Sequence, residues 1–130
     1  MPQTRLVYVA AALLVASLAT SCARSDAFET ELRRVRGALG GDRVTGQSRP
    51  DASGYGSVAY WQYQVIGDVA GVASDVARRV PKDYRQVEQS AGILEFARRE
   101  GDDDYYLSLA LSAAGPGQTS VSATLRCLPD

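Results

Sequence analysis

The feature that most constrains this fold is a change of hydrophobic period near residue 67. In "SVAYWQYQVIG", Ala59, Trp61, Tyr63 and Val65 alternate with Tyr60, Gln62 and Gln64, a period of two that is rich in aromatic and β-branched side chains. That pattern predicts a strand with its odd positions in a core. The next segment, "VAGVASDVARRV", places Val69, Val72, Ala73, Val76, Ala77 and Val80 at offsets 0, 3, 4, 7, 8 and 11. This is the repeat of a helix with one apolar face, opened by Asp68 or Gly67 and stopped by Pro81. Its Val and Ala side chains are short enough to let it lie close on a sheet.

Alternation then returns. "YRQVEQS" reads as a weak strand, "ILEFARRE" puts Leu94 and Phe96 on one face, and "YYLSLALSA" puts Tyr105, Leu107, Leu109 and Leu111 there. The last strand, "TSVSATLRCL", aligns Thr119, Val121, Ala123, Leu125 and Cys127. "GDDD" at 101–104 and "GPGQ" at 115–118 have the composition of hairpin connections. The expected class is α+β: an antiparallel sheet of four to five strands packed on one helix, in the order β-α-β-β-β. Ahead of it, Phe28, Leu32, Val35 and Leu39 mark a further helix over 26–39, with Asp26 as its cap, Glu29 as the partner carboxylate and Gly40-Gly41 at its end. This helix is expected to be either a second cover on the sheet or a membrane-proximal arm. Its Arg33, Arg34 and Arg36 suit a solvated face or anionic headgroups. Residues 40–56, "GGDRVTGQSRPDASGYG", carry no period and read as a loop or linker rich in Gly and Ser.

The first 21 residues have the organisation of an export signal. A short polar start with Arg5 leads into fourteen residues, Leu6 to Ala19, without a charge. As a helix this run rises about 21 Å, short of the roughly 30 Å of a bilayer core, so it is sized for removal and not for a permanent span. It ends Leu18-Ala19-Thr20-Ser21-Cys22, which resembles the lipobox of bacterial lipoproteins. The resemblance implies a diacylglyceryl group on the sulfur of Cys22, a mature chain beginning there and, with it, attachment to the extracytoplasmic side of the cell membrane. It covers about the first 22 residues, and the usual Leu three places before the Cys is Ala19 here. The strand-helix-meander pattern that follows is similar to small envelope lipoproteins of unknown function, in layout only. Ordinary cleavage after Ser21 or Ala23 is the alternative, giving a soluble secreted protein. The chain thus divides into a signal peptide at 1–21, a lipid-anchored helix and linker at 22–56, and an α+β domain at 57–130.

The second cysteine, Cys127, is in phase with Val121 and Leu125, which makes a buried free thiol the simplest expectation. A disulfide from Cys22 to Cys127 belongs to the secreted alternative.

Composition narrows the chemistry. The 130 residues contain no His, 14 basic and 15 acidic side chains; removing residues 1–21 takes away Arg5 alone and leaves a net charge of −2. That balance offers no electrostatic footprint for nucleic acid. Without His, a Ser or Cys nucleophile lacks its usual base, and Lys82, the one lysine, sits in a turn. Asp102, Asp103 and Asp104 cluster but lack the spacing of a calcium loop, and read as an acidic hairpin tip. No metal, cofactor or catalytic set is expected.

What stands out is the face opposite the core: Tyr60, Gln62, Gln64, Tyr106 and Ser108 among Glu95, Arg99, Ser112, Ser120, Ser122, Thr124 and Arg126. Tyr with Ser and Gln gives contact area and adaptable hydrogen bonds. The expectation is a non-enzymatic binding module of the cell envelope, held at the membrane by its lipid and using this face, or the 40–56 loop, for an envelope protein or cell-wall ligand. The alternatives are a secreted inhibitor-like protein stapled through its two cysteines, or a hydrolase dependent on carboxylates.

Overall fold

The computed structural model describes residues 25–40 and 57–129. The chain runs α1 (Ser25–Leu39), β1 (Ser57–Ile66), α2 (Val69–Arg79), β2 (Arg85–Ser90), β3 (Ile93–Glu100), β4 (Asp103–Gly115) and β5 (Gln118–Pro129). The strands form one antiparallel sheet in the order β1-β5-β4-β3-β2. The final strand therefore inserts beside the first, and β1 and β2 become the two edges. The signal segment, Cys22 and the expected linker beyond Gly40 lie outside the described residues.

Each element begins and ends for a local reason. Asp68 caps α2, its side chain accepting from the Gly71 backbone N–H at 2.7 Å, which satisfies one of the orphan donors of the first turn. Val80 leaves the helical region immediately before Pro81. In α1 Asp26 lies inside the first turn and not at the cap, because the helix already starts at Ser25. Gly40 follows α1 with φ +77, the left-handed conformation glycine adopts without cost. The β3–β4 connection is tighter than "GDDD" suggests. Gly101 and Asp102 make the turn, while Asp103 and Asp104 belong to β4, Asp103 buried and Asp104 3.6 Å from Arg99 Nη1. At the β2–β3 turn, Gly92 has φ +78 and its carbonyl accepts from Leu111 N–H at 2.7 Å. A Cβ there would stand 2.9 Å from the Leu111 carbonyl oxygen.

The register stacks the core in rows across the sheet. Ala59, Leu125, Leu107 and Phe96 form one row; Trp61, Ala123, Leu109 and Leu94 form the next; Tyr63, Val121 and Leu111 a third. Both helices cover this side. Val72 and Val76 of α2, Val80 just past its end, and Phe28, Leu32, Val35 and Leu39 of α1 all join the same buried cluster. Each such side chain contributes about 1.5–3 kcal/mol of transfer free energy when buried. The sheet is thus packed under two helices, and α1 is a second cover over it: four apolar side chains spaced along one stripe find a desolvated surface there.

Candidate functional site

With both helices on one side, the other side of the sheet has no covering element among the described residues. The pleat puts Tyr60, Thr124, Ser108, Glu95 and Glu88 in one cross-strand row on this side. Val58, Arg126, Tyr106, Ala97 and Arg85 form the adjacent row. Tyr60 is 55% and Tyr106 43% exposed, large apolar surfaces left in water. A depression of about 520 Å³ opens here, lined by Tyr106, Ser108, Val87, Leu128, Glu95, Thr124 and Arg126. Val87 reaches it because β2 carries a bulge between Gln86 and Glu88, which turns an extra residue toward the depression and disrupts the pairing pattern of an edge strand. Glu95 and Arg126 supply opposite charges around an apolar floor, and neither is in an ion pair among the described residues.

The residues singled out from sequence share this face but not one site. Tyr106 and Ser108 line the depression. Tyr60, Gln62 and Gln64 lie to one side, on β1, with β5 between them and β4. Gln62 is engaged inside the face, donating from Nε2 to Ser120 Oγ at 2.8 Å. Leu128 follows the same alternation that places Thr124 and Arg126 on this face, whereas Val87 was not legible as a member, since the β2 bulge places it.

A second group joins the helices to the sheet. Glu31, 7% exposed, accepts from Tyr84 Oη at 2.7 Å, from Arg98 Nη1 at 2.6 Å and from Arg34 Nε at 2.7 Å. Asp83 pairs with Arg34 at 3.0 Å and with Arg98 at 2.9 Å, and Arg98 also binds Glu100. The guanidiniums of Arg34 and Arg98 stand 5.8 and 5.6 Å from the ring centres of Tyr84 and Tyr105. Burial works against charge on Glu31, but hydrogen bonds from Arg34 and Tyr84 and the charges of Arg98 and Arg34 outweigh it and hold the carboxyl below its ordinary range. Burial and the Glu31 hydrogen bond push the Tyr84 phenol upward; burial, then the charges of Glu31, Asp103 and Glu100, push Tyr105 up to about 12. Each group is locked in its ordinary neutral-pH form with its partners filled, the arrangement of a structural tie and not of a poised acid or base. Arg34, whose side chain is 40% exposed, thus pairs with Glu31 and Asp83 at the solvent edge of this network. The network had one readable signal: Glu31, three residues after Phe28 and four before Val35, sits on the apolar stripe of α1.

Cys127 is fully buried on the core side, as its phase requires, but it is disulfide-bonded. This corrects the expectation of a free thiol. Among the described residues no group of His, Cys, Asp or Glu is arranged to hold a metal ion, and no helix is long and apolar enough to cross a membrane. No family model, curated protein or solved structure matches this chain.

Proposed function

We propose that this protein is exported and acts outside the cytoplasm as a non-enzymatic binding module, taking a protein or cell-wall ligand on the uncovered face of its sheet. The observation that carries this reading is the Tyr106 depression. It is a concave, partly apolar patch with one carboxylate and one guanidinium at hand, on the side of the sheet that neither helix covers. Sites of this kind combine an apolar contact area with a few polar groups that fix orientation. The export-signal pattern of residues 1–21 supports the location, and the lack of any His in the chain supports binding over acid-base or nucleophilic chemistry.

The test is capture of envelope proteins and of purified cell-wall polymer by the immobilised domain and by its Tyr106→Ala and Tyr60→Ala forms, each checked for an unchanged unfolding midpoint. Tyr106→Ala is expected to abolish capture and Tyr60→Ala to weaken it. Capture unaffected by both would remove the face from consideration.

The state of Cys22 separates two forms of this module. The lipobox-like ending favours one tethered to the membrane through a lipid; the bonded state of Cys127 favours an untethered one.

A further inference from the structure

We propose that the Tyr106 depression takes a short peptide with free ends, its ammonium held at Glu95 and its carboxylate at Arg126; this rests on the binding role proposed above for the same face.

Glu95 and Arg126 stand on either side of β4. Glu95 on β3 is opposite Ser108, and Arg126 on β5 is opposite Tyr106, so the line joining the two charges crosses β4 between its two outward side chains. Two strand spacings of about 4.8 Å and a step of two residues at about 3.4 Å each put their Cα atoms about 12 Å apart. The two side chains do not pair across the depression. An extended tripeptide measures about 10 Å from end to end, so one molecule can offer its ammonium to the carboxylate and its carboxylate to the guanidinium. Tyr106 and Ser108 then lie beneath its backbone, and the exposed Val87 and Leu128 flank it with aliphatic surface.

The charges around the depression call for an occupant of this polarity. Elsewhere among the described residues carboxylates find arginines: Asp75 meets Arg78 and Arg79, Asp104 meets Arg99, and Glu31 and Asp83 share Arg34 and Arg98. Glu95, although half-buried, has instead Glu88 as its cross-strand neighbour, a like charge in a position that destabilises a sheet. Arg85 shares the Arg126 row but does not line the depression and pairs with neither carboxylate. A bound ammonium relieves the repulsion between Glu88 and Glu95, and a bound carboxylate suits the two-pronged donor geometry of the Arg126 guanidinium. A simple cation or anion would answer one of these charges, and a neutral sugar neither.

The experiment is isothermal titration of the purified protein with tri-leucine as the probe, in three forms: free at both ends, N-acetylated, and C-amidated. It is repeated on Glu95→Gln and Arg126→Gln forms checked to be folded. Free tri-leucine is expected to bind the parent protein, and each cap to weaken binding about tenfold, the worth of one hydrogen bond to a charged group. Acetylation should add no further loss to Glu95→Gln, nor amidation to Arg126→Gln, because cap and substitution remove the same contact. Equal binding of free and capped peptides, losses that simply add, or no binding of the free peptide overturns the assignment. The Tyr106→Ala capture experiment judges the face separately. Capture that depends on Tyr106 while tri-leucine fails to bind keeps the face and removes the peptide; capture insensitive to Tyr106 removes the face itself.

Discussion

Glu31 Oε2 lies 2.6 Å from Arg98 Nη1, and this one contact ties the first helix to the third strand across 67 residues of sequence. Around it Arg34, Asp83 and Tyr84 complete a network that leaves the Glu31 carboxylate with no unfilled role. The apolar stripe of α1 supplies most of its burial energy, but a stripe specifies little about where along a groove it rests. A carboxylate that must meet two guanidiniums does specify it, because an unpaired charge at that depth costs several kcal/mol.

Glu31→Ala is accordingly expected to cost about 3 kcal/mol, the range seen when one partner of a buried ion pair is removed. Arg33→Ala, on the exposed side of the same helix, should stay within about 0.5 kcal/mol. Urea unfolding of both variants checks this, and equal losses would show that the network does not locate the helix.

The network also sets a pH dependence. Glu31 and Asp83 are both held below their ordinary values, in each case by arginine partners that overcome burial. A carboxyl that binds its proton less tightly when folded stabilises the fold above its unfolded value, about 4, and loses that contribution as the pH falls through the folded value. Asp83 adds less than Glu31, being the more exposed. On the alkaline side Tyr105 titrates at about 12 in the fold against about 10 when unfolded, so its contribution is complete below pH 10 and lost as the pH rises toward 12. The urea midpoint should fall at both ends, and Glu31→Gln should flatten the acid limb and weaken the alkaline limb only in part, since burial comes before the Glu31 charge among the causes that raise Tyr105.

Two tyrosines separate a paired from an unpaired hydroxyl. Tyr84 Oη donates to the charged Glu31 carboxylate at 2.7 Å, whereas Tyr63 Oη is buried and meets no hydrogen-bond partner among the described residues. Tyr84→Phe is expected to lose about 1.5–3 kcal/mol, the net worth of a hydrogen bond to a charged group; Tyr63→Phe should be neutral or stabilising, because it removes a desolvated polar atom. Thermal unfolding of the two variants side by side gives the answer.

Turn glycines differ in the same way. Gly101 and Gly92 both have positive φ, but a Cβ at Gly101 meets nothing within 4 Å while one at Gly92 stands 2.9 Å from the Leu111 carbonyl. Gly101→Ala should cost about 1 kcal/mol for the left-handed conformation alone. Gly92→Ala should cost more, with loss of the Leu111–Gly92 hydrogen bond, visible as faster amide exchange at Leu111.

The sequence by itself determined the elements and their buried faces. Period two at 57–66 and a repeat without a miss at 69–80 became β1 and α2, and Cys127 is buried in phase with Val121 and Leu125. These are local properties, set by which side of one strand or helix an apolar side chain leaves. What only the tertiary structure decided are relations between distant segments: that α1 covers the sheet, that Glu31 meets Arg98, that a bulge brings Val87 beside Tyr106, and that Cys127 is bonded. Periodicity carries no information about which partner a side chain finds once the chain has closed on itself. An arginine in water and an arginine in a buried network look alike until the opposing carboxylate is in place.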